Sequence, residues 1–237
     1  MIGVWSLRLI AVAVLLAVAA IVLFRSGAVA FSWPLLGIAL ASLIAAVALV
    51  LGIIALIMGG RASFTMLSPA LAGSLLAALF LVWPLLHLRY ALSVPPIHDI
   101  STQPTTPPPF EAIVALRAKG ANSLAPLAET ARLQQEHYTN VQPAQLRVAP
   151  QRAFALAEDE ARARGWELVQ VAPQRGRIEA VATSRLFGFK DDVLILIEPH
   201  RDGAVVQMRS ASRVGRSDLG QNARRISSYL DALAAKQ

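Results

Sequence analysis

Asp192-Val-Leu-Ile-Leu-Ile-Glu198 is apolar at every position between its two terminal carboxylates. Such a run places apolar side chains on both faces of a strand, so the segment belongs at the centre of a sheet. On its N-terminal side, Arg177 to Ser184 alternates Ile178, Ala180 and Ala182 against Glu179, Val181 and Thr183, a strand period. Pro173-Gln-Arg-Gly176 joins that strand as a hairpin to another, Glu167 to Val171. On the C-terminal side, a turn at His200 to Gly203 leads to a partner strand, Ala204 to Ser212. Helices flank the strands. Pro150 suits a first helical turn, where its missing N–H is not needed; the helix runs through Arg164, with Gly165 as a left-handed stop and Trp166 as the apolar contact after it. Asp218 and Gln221 form a capping pair for a last helix through Ala235, with Leu219, Ile226, Tyr229, Leu230 and Leu233 as its buried stripe. Helix, four strands, helix is the order of an α+β domain, a four-stranded antiparallel meander with flanking helices over residues 110–237.

Between 110 and 148 the pattern is looser. Phe110, Ile113, Val114 and Arg117 stand at helical spacing up to Lys119, with Gly120 as a stop. Ser123 is a candidate cap for a second helix through about Glu136, with Leu124, Leu127, Ala128 and Ala131 on its apolar face. Tyr138 to Val148, with Pro143, reads as irregular. Upstream, residues 94–109 hold six of the fourteen prolines. Such a strip is extended and semi-rigid, at roughly 3.1 Å per residue. It either holds the domain off a bilayer or lies in a groove of the domain itself. His98-Asp99 within it reads as a turn.

The first 93 residues contain four arginines and no acidic residue, so the net charge of +7 divides as +4 there and +3 beyond. Three apolar stretches approach the roughly 20 residues that cross a bilayer, at about 5–24, 33–57 and 67–88. They predict an α-helical membrane anchor of three transmembrane helices. Trp33, Trp83 and Tyr90 lie near span ends, where amphipathic aromatics favour headgroups. Small residues recur four apart (Gly37, Ala41, Ala45; Ala48, Gly52; Gly73, Ala77), either as a helix interface or as a by-product of an Ala-rich composition. No Asp, Glu or Lys lies in a span, which argues against an ion path; His87, at a span end, is the one candidate.

Arg8 and Arg61 against Arg25 and Arg89 leave the positive-inside count level. The run after Arg8 resembles a signal sequence, and Ala28-Val29-Ala30 a cleavage site. Uncleaved, three spans carry the C-terminal domain outside; cleaved, two spans return it outside. The expectation is a multi-pass protein of the bacterial inner membrane with an extracytoplasmic, periplasmic domain.

The chain has no cysteine, which excludes disulfides and thiolate chemistry. Its four histidines are scattered and form no metal motif, and no cofactor or catalytic residue is assigned. The basicity is not concentrated as nucleic-acid binding requires. Arg209 to Arg225 holds five arginines across a strand end, a Gly turn and a helix start. Arg209, Arg213, Arg216 and Ser217 are therefore candidate contacts for an anion or a partner, against the alternative of an internal salt-bridge and capping network involving Asp191 or Asp192. The second unusual segment is the loop Phe187-Gly-Phe189-Lys190-Asp191-Asp192, either an exposed contact or a plug at the open end of the sheet.

Gly176-Arg-Ile-Glu-Ala-Val-Ala-Thr, Phe187-Gly-Phe-Lys-Asp-Asp-Val and Arg209-Ser-Ala-Ser-Arg-Val-Gly-Arg-Ser-Asp-Leu-Gly-Gln-Asn-Ala, with Pro95-Pro-Ile-His-Asp-Ile-Ser-Thr before them, resemble the bacterial and plastid DUF1499 family. The likeness spans about Pro95 to Leu230, and the N-terminal spans resemble an extension found on some members. The resemblance carries no catalytic residues. It implies that the aromatic loop and the arginine segment form one unit, with Asp191 or Asp192 meeting an arginine of 209–216. The resulting expectation is a non-catalytic, membrane-anchored binding or accessory protein of the cell envelope. Its partners are the lipid bilayer and an anionic envelope ligand or a membrane protein. The alternatives are an enzyme on a membrane-derived substrate using Asp191 or Asp192, and a structural subunit of a membrane complex.

Overall fold

A computed structural model describes residues 2–59 and 64–236. The expectation placed on Arg61 lies outside the described residues. The chain divides into two compact units: Met1–Leu92 with Leu186–Gly188, and Ser93–Arg185 with Phe189–Gln237.

The first unit contains α1 (Ile2–Arg25), α2 (Ser32–Gly59) and α3 (Phe64–Ala91). All three are long and apolar enough to cross a membrane. The small residues make their interface. Ala41, Ala45 and Ala48 of α2 are buried against Ile10, Ala13 and Ala17 of α1 and Ala77 of α3. A Cβ on Gly52 would stand 2.1 Å from Ser74 Oγ and 2.7 Å from Ser6 Oγ. Ser6 Oγ in turn donates to the Ala48 carbonyl at 2.7 Å. Close backbone approach replaces the hydrophobic drive that lipid cannot supply between helices. His87 Nδ1 lies 2.8 Å from the Trp83 carbonyl one turn back in α3.

The second unit is an antiparallel sheet with helices. Its elements are β1 (Asp99–Ser101), α4 (Ala128–His137), β2 (Ala144–Leu146), α5 (Pro150–Ala163), β3 (Glu167–Ala172), β4 (Arg177–Thr183), β5 (Lys190–His200), β6 (Gly203–Ser212) and α6 (Gln221–Ala234). The expected meander β3-β4-β5-β6 is present, but the sheet has six strands, not four: β1 and β2 both pair with β6. These added strands are three residues each, too short to display an alternation. One is embedded in the proline strip and the other follows Pro143. β5 pairs over Lys190–Leu196 with β4 and over Asp191–His200 with β6, the central place that its two apolar faces predict.

Register sorts the side chains onto two faces. Ile178, Ala182, Val193, Ile195, Val206 and Met208 form the main core with α5 and α6, including Phe154, Ala157, Ile226, Tyr229 and Leu233. Gly165 ends α5 at φ +72°, with Gly165 N–H donating to Arg162 O at 2.9 Å and Trp166 N–H to Ala161 O at 3.1 Å, the paired bonds of a left-handed helix stop. Trp166 stacks on Tyr229, ring centroids 5.1 Å apart.

Among the described residues of this unit, no long helix covers the other face. Phe110 and Ile113 pack there against Val181, Leu194 and Ala211. The helical spacing expected from Phe110 to Lys119 resolves only into a 3-10 turn, Ala112–Leu116. The cause is visible: the Glu111 and Ile113 amides donate to the Glu179 carboxylate at 2.7 and 2.8 Å. The next helix begins at Ala128, not after Ser123. Pro126 disfavours helical backbone before it, and Ser123 Oγ accepts locally from the Ala125 amide at 3.1 Å. The proline strip therefore leads into a strap, residues 102–125, that lies on its own sheet.

Candidate functional site

Proline deprives the strap of donors while leaving every carbonyl in place. A buried carbonyl needs a partner, and the sheet supplies arginines. Arg209 on β6 is 1% exposed. It donates to the Pro108 carbonyl at 2.9 Å and the Leu124 carbonyl at 2.7 Å. It also grips the Asp99 carboxylate with Nε at 3.0 Å and Nη2 at 2.6 Å. Its guanidinium carbon lies 5.0 Å from the Phe110 ring centroid. Across the sheet, Arg177 donates to Glu179 and to the Pro109 carbonyl. Glu179, fully buried, thus binds both an arginine and two strap amides.

The expected meeting of the aromatic-loop segment with the arginine segment is found. Asp191 and Asp192 are adjacent on β5 and so point to opposite faces. Asp192 is fully buried on the strap face. Arg213 Nε donates to its Oδ1 at 2.8 Å, and Arg117 Nη1 to its Oδ2. Arg213 Nη2 stands 2.7 Å from the same Oδ1 but is not aligned as a hydrogen bond. Burial pushes the Asp192 carboxyl up from its ordinary value, against the pull of Arg213 and Arg117. Asp191 faces the helices and pairs with Arg225 of α6 at 2.5 Å. Arg225 also reaches Ser210 Oγ at 2.9 Å, and Ser210 Oγ donates to Asn222 Oδ1 at 2.7 Å.

Asp218 Oδ1 takes the Gly220 amide at 2.8 Å and Oδ2 the Asn222 amide at 2.7 Å. Gly220 is the N-cap and Gln221 the first helical residue, so Asp218 satisfies an amide of the first turn from outside the helix and not as half of a capping box. Its carboxyl is raised by burial, with the two amides opposing. Ser217 Oγ accepts from the Leu219 amide at 3.2 Å. Arg216 is exposed, with no side-chain hydrogen bond or ion pair among the described residues. The loop before β5 is closed by Ser184 N–H to Phe189 O at 2.8 Å and Phe189 N–H to Ser184 Oγ at 2.9 Å. Lys190 is exposed at its end.

Among the described residues no group of three His, Asp or Glu side chains is placed to hold a metal ion. A cavity of about 20 Å³ lies beside Asp99, His98, Ser123 and Gln134, room for about one water. Neither it nor the open groove at Gln145, Arg147, His200 and Asp202 is lined by Asp191 or Asp192.

Of the arginines singled out in the sequence, Arg209 and Arg213 are thus bound internally and Arg216 is presented outward. Arg117, Glu179, Arg225 and Asn222 carry as much of the network and were not singled out. For Glu179 a signal existed: one carboxylate shares a strand face with Val181.

The family model described as "Protein of unknown function (DUF1499)" matches residues 99–233, from β1 to the last turn of α6. Among curated proteins, none matches the chain. The three apolar helices lie N-terminal to the matched region. The matched residues are more than half the chain, and the protein belongs to the DUF1499 family.

Proposed function

We propose that this protein is a membrane-anchored, non-catalytic binding or accessory protein of the bacterial cell envelope. Its three apolar helices sit in the inner membrane and its sheet domain lies on the extracytoplasmic side. The domain contacts an anionic ligand or a protein partner through the outward part of the arginine segment. One observation carries this reading. In a segment where Asp99 occupies Arg209 and Asp192 occupies Arg213, Arg216 is left exposed and without an acidic partner among the described residues. The buried ion pairs serve to hold the strap, the turn at Gly215 and the start of α6 in the shape that presents it.

The test is photocrosslinking of the full chain in its own membranes from a reactive side chain at Val214, which leaves Arg213 and Arg216 intact. Adducts at this position that vanish with Arg216→Glu support the reading. Adducts no more abundant than those from a control position at Asp202, with or without Arg216→Glu, refute it.

A further inference from the structure

The two ends of the sheet differ in how their exposed cations are treated. At the end formed by the β3–β4 and β5–β6 turns, Arg175 is paired with Glu111 at 2.8 Å and Arg201 with Asp202 at 3.0 Å. At the opposite end, Lys119, Lys190 and Arg216 are exposed, and no side-chain ion pair or hydrogen bond is made by any of them among the described residues. Hydrogen bonds hold their three segments together. Arg213 N–H donates to Lys190 O at 3.1 Å, Asn122 N–H to Arg213 O at 2.8 Å, and Asn122 Nδ2 to Gly215 O at 2.8 Å. The carboxylates nearest in sequence are withdrawn: Asp192 is taken by Arg117 and Arg213, Asp191 by Arg225, and Asp218 by the start of α6. The result is a set of three outward cations whose neighbouring aspartates, Asp191, Asp192 and Asp218, are turned inward.

The chain from the apolar helices enters at this same end. The Ile97 carbonyl accepts from the Asp218 amide at 3.1 Å and the His98 carbonyl from the Ser212 amide at 2.9 Å. α3 ends at Ala91, so six residues, about 20 Å at full extension, join it to this end of the sheet.

We propose that the rim of Lys119, Lys190 and Arg216 is a docking surface for the anionic headgroups of the bilayer that anchors the chain. The inference rests on the anionic-contact reading above and names its ligand class: phospholipid headgroups presented as a surface. A lipid surface fits because the cations are dispersed over three segments at one sheet end, and the tether is attached there. Basic residues near such a surface add attraction that falls off within a Debye length.

The chain lacks cysteine, so a single nitroxide at Ala118→Cys reports on the rim. The full chain is placed in nanodiscs of phosphatidylglycerol mixed with phosphatidylcholine, or of phosphatidylcholine alone, each carrying a headgroup-bound nickel chelate. Strong relaxation of the nitroxide is expected in anionic discs only. It is lost at about 1 M salt, where the Debye length is about 3 Å. Lys119→Gln, Lys190→Gln and Arg216→Gln together lower the ratio of docked to free rim roughly a hundredfold, about fivefold per cation. Arg175→Gln with Arg201→Gln, at the far end, leaves the signal unchanged. Equal relaxation in both lipids, or none in either, overturns the proposal. A null result here alongside protein adducts from Val214 leaves the anionic-contact reading standing and removes only the lipid.

Discussion

Glu179→Ala tests whether the strap is held by charge or by its two apolar anchors. The fully buried carboxylate accepts from the Glu111 and Ile113 amides at 2.7 and 2.8 Å and from Arg177 at 2.9 and 2.5 Å. Its removal strands the buried Ile113 amide, the part-buried Glu111 amide and a guanidinium on a side chain only 7% exposed. Breaking one side of a buried pair costs about 3–5 kcal/mol, and each stranded neutral donor about 1–3 kcal/mol before relaxation. Arg177 keeps the Pro109 carbonyl and lies 3.5 Å from Glu111, which offsets part of the loss. We expect about 4 kcal/mol, or a fall in Tm of about 15 °C for a domain of this size. Glu179→Gln keeps the volume and one acceptor, and is expected to cost about half as much. The assay is thermal unfolding of the full chain in mild detergent, with hydrogen exchange read at residues 110–117. Exchange at Glu111 and Ile113 accelerates first, before that of β5. A Tm change under about 4 °C with those amides still protected would show that Phe110 and Ile113 suffice, and the charge argument would fail.

Three further outcomes follow from single positions. Gly176 closes the β3–β4 turn at φ +57°, and a Cβ there would lie 2.0 Å from the Ile197 carbonyl oxygen; Gly176→Ala is expected to cost about 3 kcal/mol by denaturant titration, and a neutral result refutes that close approach. Asp218 has its folded pKa raised by burial above the ordinary 3.8, so its contribution to stability is greatest below that value and is lost as pH rises through the folded pKa. Asp218→Asn should flatten that part of a stability–pH curve, and an unaltered slope contradicts it. In the apolar unit, Gly52→Val drives a branched side chain into Ser74 and Ser6. Thermal stability of the helices in detergent should fall while hydrogen exchange of residues 166–233 is unchanged, and intact helix packing in the variant would refute the interface.

The regular elements were legible because each had several residues voting alike. The five apolar residues of 193–197, the alternation over 178–183, and Pro150 with Gly165 each specify an element without outside help. The strap was not legible, because its conformation is decided elsewhere. Phe110, Ile113, Val114 and Arg117 have helical spacing, yet the Ile113 amide answers to Glu179 and the Arg117 side chain to Asp192, which lie more than sixty residues away in sequence. β1 and β2 exist only because β6 offers a free side, information no three-residue stretch contains. The arginine segment was visible by composition, but composition cannot separate a cation that meets solvent from one that meets Asp99. Alternation on β5 does explain why adjacent Asp191 and Asp192 serve opposite faces.

The bond between Asp99 and Arg209 joins residues 110 positions apart, and this has a consequence in time. A ribosome adding about 5–20 residues per second makes Asp99 about 5–20 s before Arg209 exists. Through that interval β1 has no strand to pair with, and the strap's proline carbonyls lack the guanidinium that will bind them. β1, at the head of the domain, cannot pair until β6, near its tail, has emerged, whereas the Glu111 and Ile113 amides can find Glu179 as soon as β4 exists. The charged face is therefore completed in order, and a chain stopped before Gly203 would hold the Glu179 and Arg117–Asp192 contacts in reach while β1, β2 and the strap's Pro108 and Leu124 carbonyls still lacked their β6 partners.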